Sequence, residues 1–169
     1  MSGSLLDDAF DHHVWATLRL IDACLQLTAE QLQTAVPGTY GSILHTMRHV
    51  VGSDPGYLYF LTGDHVHDIE TEELDLPELR AVAEREGAAW SAFLAENPDP
   101  EAIVKEIDET DGYERDASIG IRLAQALHHG TDHRSQICTA LTTLDVQPPS
   151  IDVWAFGVAT DRIIEVLPP

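Results

Sequence analysis

The chain has 169 residues, 44% hydrophobic and 22% charged, a composition that supports one domain with its own core. Its 29 acidic side chains against 9 basic ones give a formal charge of −20, which excludes a basic footprint for DNA or RNA and disfavours anionic membranes. Two cysteines, Cys24 and Cys138, are too few for a disulfide framework and read as thiols in a reducing compartment. Lys105 is the single lysine; a surface so acidic and lysine-poor suits a high-salt cytoplasm and ordinary acidic proteins alike. The first residues, MSGSLLDDAFDHH, lack a basic region and an apolar run, and no segment approaches the ~20 apolar residues of a membrane span, so a cytoplasmic protein is expected.

In chain order, the spacing of Leu6, Phe10, His13, Ala16, Leu20, Ala23 and Leu27 predicts a first helix from about Leu5 to Gln33, ended by Pro37-Gly38. His13 falls on its apolar side, where a core histidine with a hydrogen-bond partner is the ordinary reading; His12 points elsewhere and is expected in solvent. A second helix starts at Ser42, carries Ile43, Met47, Val50 and Val51, and stops at Gly63. Gly52 and Pro55-Gly56 predict a kink or a restart near Ser53-Asp54. Asp64–Leu74, including His65-Val66-His67, reads as a solvated acidic loop. Asp75 and Glu78 have capping-box spacing and open a third helix whose buried face is Leu79, Val82, Ala83, Trp90, Phe93 and Leu94.

Asn97-Pro98-Asp99-Pro100 ends that helix, and a small hairpin follows: Ala102–Ile107, turn residues Asp108–Gly112, then Tyr113–Ser118. A fourth helix runs from about Gly120 to Leu144 along a seam of Leu123, Leu127, Ile137, Leu141 and Leu144. After Pro148-Pro149, a last helix capped by Ser150 is expected over about Ile151–Val166, anchored by Trp154, Phe156 and Ile163. The whole reads as one all-α domain over residues 1–169, a four-helix bundle with a short β-hairpin between its third and fourth helices and a C-terminal helix.

The chemistry concentrates in Leu127–Leu144, where His129 and His133 stand one turn apart on one side of a helix. Two imidazoles so placed can share a metal ion and need a third donor, which the second helix offers in His49. His45 and His49 are themselves four apart and form a competing pair, whereas His128 is turned about 100° from His129. In a chain with 9 histidines the spacing alone leaves coincidence, or hydrogen-bonded core rings, as an equal alternative.

Three stretches carry a resemblance. GSILHTMRHVVGSDPGYL is similar to the second helix of the DinB/YfiT-like family, ALHHGTDHRSQI to its fourth-helix motif H-x-x-x-H-R-x-Q, and HHVWATLRLI, less specifically, to its first helix. The resemblance implies a four-helix bundle, often a homodimer, that binds a divalent metal, and it puts the metal triad on His49, His129 and His133. Three imidazoles suit zinc, nickel, cobalt, iron(II) or copper, with zinc or nickel foremost. The wider superfamily includes thiol-dependent transferases and a mycothiol-dependent isomerase, so a low-molecular-weight thiol is an implied co-substrate. Those relatives can carry glutamate where His129 stands, and Pro55-Gly56 is a further departure.

The expected function is metal-dependent chemistry on a small molecule, with a thiol or water activated for transfer or hydrolysis. The alternative is a non-enzymatic or stress-linked bundle with a structural metal, its shell completed by His13 or His45. Around the triad, Arg134 is expected to anchor a carboxylate between helices, Gln136 belongs to the same motif, and Asp54, about 140° round the helix from His49, is a candidate to orient an imidazole. Tyr57, Tyr59 and Trp15 read as core aromatics. No nucleic-acid or membrane partner is expected.

Overall fold

The computed structural model describes residues 4–107, 112–164 and 166. Helix α1, Leu5–Cys24, opens on a capping box in which the Ser4 side chain accepts from Asp7 N and the Asp7 carboxylate accepts from Ser4 N. It ends at Cys24, well before Gln33. Thr28 and Gln31 form a second capping box that starts the short α2, Ala29–Leu32, so the chain turns where a continuous helix was expected. The T-A-E-Q run was the available signal.

Helix α3, Ile43–Thr62, is capped by Ser42 and closed by Gly63 in the left-handed region at φ 70°. It passes through Pro55 without the expected restart. Val51, Asp54, Pro55 and Leu58 are all buried, so packing on both sides of the proline outweighs the backbone bond it forgoes. The acidic segment Asp64–Leu74 is mostly exposed, as its composition suggests, but not at every residue. It makes a 3-10 turn at His65–His67, and His67 is buried with Nδ1 2.6 Å from Glu86 Oε2.

Helix α4, Leu76–Ala95, has the predicted Asp75–Glu78 cap and the predicted buried face. Strands β1 (Ile103–Ile107) and β2 (Glu114–Ser118) pair antiparallel, from Ile103 opposite Ser118 to Ile107 opposite Glu114. The expected turn residues Asp108–Asp111 lie outside the described residues. Helix α5, Ile119–Thr143, follows directly from β2, and its buried Arg122 donates to Glu106 and to the carbonyls of Val104 and Arg115, pinning the hairpin to the bundle. The last helix, α6, is only Val153–Ala159. Asp152 rather than Ser150 caps it, and Asp161 at φ 57° turns the chain so that Arg162 N and Ile163 N close on Gly157 O. Phe156 is buried as expected, but Trp154, expected as an anchor, is 75% exposed.

The four long helices form a bundle in which α1 packs on α4 and α5, and α3 on α4 and α5. Its apolar core falls into two clusters, one around Leu20, Met47, Leu79 and Ile137, the other around Phe10, Leu58, Trp90 and Leu123. Between them each helix contributes buried polar groups: His13 and Thr17, Asp54, Glu86, and Arg134. The bundle therefore has a polar waist. Among the described residues no helix is long and apolar enough to cross a membrane.

Candidate metal centre

Three imidazoles meet beside this waist. His49 projects from α3, and His129 and His133 from successive turns of α5, with one ring nitrogen from each lying within 4.8 Å of the others. His49 Nε2 and His129 Nε2 are 2.9 Å apart. Two nitrogens each about 2.0–2.1 Å from one ion stand ~2.9–3.4 Å apart, depending on the coordination angle. The rings are tilted steeply to one another, 67° for His49 and His129 and 89° for His49 and His133, so their edges rather than their faces converge.

The protonation of this cluster follows from its surroundings. Burial, then the neighbouring imidazoles His133 and His49, push the His129 pKa down to about 4. Burial, His133 and His45 lower that of His49 in the same way. Both rings are thus neutral at pH 7, the state a metal requires.

The tautomer of His133 is fixed as well. Gln136 Oε1 accepts from Tyr40 N at 2.9 Å and lies 3.0 Å from His133 Nδ1. A carbonyl oxygen only accepts, so Nδ1 carries the proton and Nε2 keeps its lone pair for the centre. Gln136 is one turn beyond His133 on the same side of α5, and its reach to Tyr40 N ties the 33–42 loop to that helix. Tyr40 stacks on His49, with ring centroids 4.0 Å apart and planes 13° from parallel, and meets His133 edge-on. The loop aromatic and the glutamine therefore hold two of the three rings. The motif pointed to Gln136 without its task, and Tyr40 carried no signal beyond an aromatic two residues before a helix cap.

The other expected contributors sit elsewhere. Asp54 does orient an imidazole, but it is that of His13, whose Nε2 lies 3.0 and 3.1 Å from the two carboxylate oxygens. Asp54 is on a different side of α3 from His49, and the unbroken helix preserves that divergence. His13 is accordingly the hydrogen-bonded core histidine its position suggested. Among the described residues Arg134 anchors no carboxylate directly. Its Nη1 donates to Thr17 Oγ1 and the His13 carbonyl and lies 3.2 Å from His13 Nδ1, while Nη2 donates to Thr131 Oγ1. His13 lies between the acid and the base.

Gly130, next to His129 in the motif, makes this possible: a Cβ there would sit 2.4 Å from His13 Cε1 and 2.9 Å from Arg134 Nη1. His12 is half-buried rather than solvated, its Nε2 donating to Ile151 O at 2.8 Å. His45 is exposed, packs edge-on against Tyr40 and is not among the converging donors. Tyr57 and Tyr59 are half-buried and Trp15 packs on Phe156 at the α6 face.

A cavity of about 420 Å³ opens beside His49, walled by Tyr40, Arg48 and Ser53 and by the segment Ile69–Glu73. Gly52 sets its depth, because a Cβ there would meet Thr71 Oγ1 at 2.2 Å, and that hydroxyl donates to Arg48 O. The rim carries Glu70, Glu72 and Glu73, so a cation near the histidines is favoured electrostatically.

A sequence profile described as the DinB family matches residues 1–164. The chain belongs to the DinB family. It is also 21% identical over 164 residues to "Protein DinB" of Bacillus subtilis (strain 168), covering 90% of this chain and 95% of that protein. DinB membership agrees with the bundle and the hairpin described above, and with a three-histidine cluster able to hold a metal ion. The nearby cysteines are not part of it: Cys24 is buried with its thiol pushed up to about 12, and Cys138 is half-buried with its thiol also raised by burial.

Proposed function

We propose that His49, His129 and His133 hold one divalent cation and that the protein uses it on a small molecule admitted through the cavity beside His49. The observation that carries this reading is the convergence of three ring nitrogens, one with its tautomer set by Gln136 and two kept neutral by burial. Neutral nitrogen donors of this kind suit zinc or nickel. Bound there, such an ion supplies Lewis acidity, lowering the pKa of a coordinated thiol or water.

The residues of this chain do the rest. Tyr40 and Gln136 keep the rings in place, and three protein donors leave a coordination position for the reacting group, in keeping with catalytic sites. The Arg48 and Ser53 side chains, which donate to Leu74 O and His49 O, line the space a substrate would fill. We assign the reaction to nucleophilic transfer or hydrolysis, with a low-molecular-weight thiol or water as nucleophile. A homodimer in the cytoplasm completes the reading; the two free cysteines accord with a reducing compartment.

Cobalt substitution tests the open position. The visible spectrum of the cobalt protein should shift on adding a small thiol, and a thiol-transfer screen on electrophilic substrates should then show turnover. A spectrum indifferent to every small ligand would mean a closed shell and a structural ion.

A further inference from the structure

We propose that the groove between α1, α5 and α6 is a second binding site, for a small amphipathic monocarboxylate whose head group pairs with Arg134 and whose apolar tail lies along α6. The groove encloses about 1020 Å³, at the upper end of the roughly 300–1,000 Å³ usual for ligand sites. It is on the side of α5 opposite the triad: Thr131, Arg134 and Cys138 line it, whereas His129 and His133 face α3. Leu127, Ile151 and Phe156 form much of its apolar wall, and the exposed Trp154 indole stands at its edge.

The anchor is the guanidinium. Arg134 is 3% exposed, yet among the described residues no carboxylate lies at ion-pair distance from it, because Asp54 is engaged on the far nitrogen of His13. Among the described residues Nη1 is fully engaged by Thr17 and His13, but Nη2 has one acceptor, Thr131 Oγ1, and Nε has none. Five N–H groups with three employed leave Nε–H and one Nη2–H to donate to a carboxylate arriving from the groove. A buried cation lacking a direct counter-charge is costly, and a single carboxylate arriving from the groove offsets that cost.

The charge count of the groove selects one carboxylate rather than several. Its own acids are already occupied, Asp8 by Arg162 and Asp152 by capping Ala155 N, and they would repel a second negative group near the mouth. The apolar walls then call for a hydrocarbon or aryl tail rather than a sugar or nucleotide.

Decanoate, decan-1-ol and decylamine, titrated into the full chain under tryptophan fluorescence and followed by heteronuclear NMR, test this directly. Saturable one-to-one binding of decanoate is expected, at least about tenfold tighter than the alcohol from the charge-assisted bonds alone, with decylamine weaker still. Arg134→Gln should erase the difference between acid and alcohol. Should that variant not fold, Trp154→Ala on the exposed rim should weaken acid and alcohol together while keeping their ratio. His129→Ala should bind decanoate as the wild type does, separating this site from the metal centre. Equal binding of acid and alcohol, no saturation by decanoate, or a second copy of the chain covering the groove would each overturn the proposal.

Discussion

Gln136 Oε1 lies 3.0 Å from His133 Nδ1 and dictates which nitrogen of that ring faces the centre. The same oxygen takes the Tyr40 backbone N–H, so a single amide sets a tautomer and secures the loop that stacks on His49. Outer partners of this kind are worth roughly 10–100-fold in metal affinity. Gln136→Leu should therefore weaken zinc or nickel binding by about that factor in a chelator competition, with circular dichroism unchanged. Affinity equal to that of the wild type would show that the amide does not prepare the ring.

A second prediction concerns acid. The His129 pKa in the folded chain is about 4, below its ordinary value of 6.5, so the unfolded chain binds more protons between those two values. Stability of the metal-free protein should be fully present above pH 6.5 and decline as pH falls toward 4, with His49 and His12, also lowered, adding to the slope. Urea midpoints measured across that range should show a shallower decline in His129→Gln than in the wild type. Parallel curves would remove His129 as a source of the pH dependence.

Gly130→Ala tests the packing at the waist. The added methyl meets the rigid His13 ring rather than the end of a flexible chain, and the ring cannot move without leaving Asp54. Overpacking of this sort costs about 1–3 kcal/mol, and the disturbed His13–Asp54 hydrogen bonds add to it. A urea midpoint within error of the wild type would place the His13 ring elsewhere.

Glu86 is 0% exposed, shared between His67 and Arg85. Removing His67 leaves a buried carboxylate with one partner at its edge, and His67→Ala is expected to destabilise the fold by about 3 kcal/mol. The double variant with Glu86→Met should recover much of that loss, since it deletes the stranded charge as well. A double variant as unstable as the single one would assign the effect to lost packing alone.

The bundle was legible because its helices obey periodic rules. The face of α4 from Leu79 to Leu94 and the caps at Ser42 and Asp75 follow from side-chain spacing, and they stand as expected. What escaped were choices settled by tertiary packing. Pro55-Gly56 suggested a kink or a restart, and of these the restart does not occur, α3 running through the buried proline. His67 looked solvated within an acidic run, and only its meeting with Glu86 buries it. Glu86 itself fell on the stripe of Leu79, Ala83 and Trp90, so a charge at a core position was readable, though not its partner. At the centre, helical spacing pairs His129 with His133, while the approach of α3 that brings in His49 depends on how the helices pack. Gln136 and Asp54 show the same limit from two sides. The first has the ring that helical spacing offers, and the second has a ring 41 residues away that spacing does not reveal.

The metal content of the purified chain, beside that of His129→Ala, tests the central claim most directly. About one zinc or nickel ion per wild-type chain, by mass spectrometry after equilibrium dialysis, with stoichiometric binding lost in the variant, is the expected result. A variant that keeps one tightly bound ion per chain, at unchanged affinity, would contradict it.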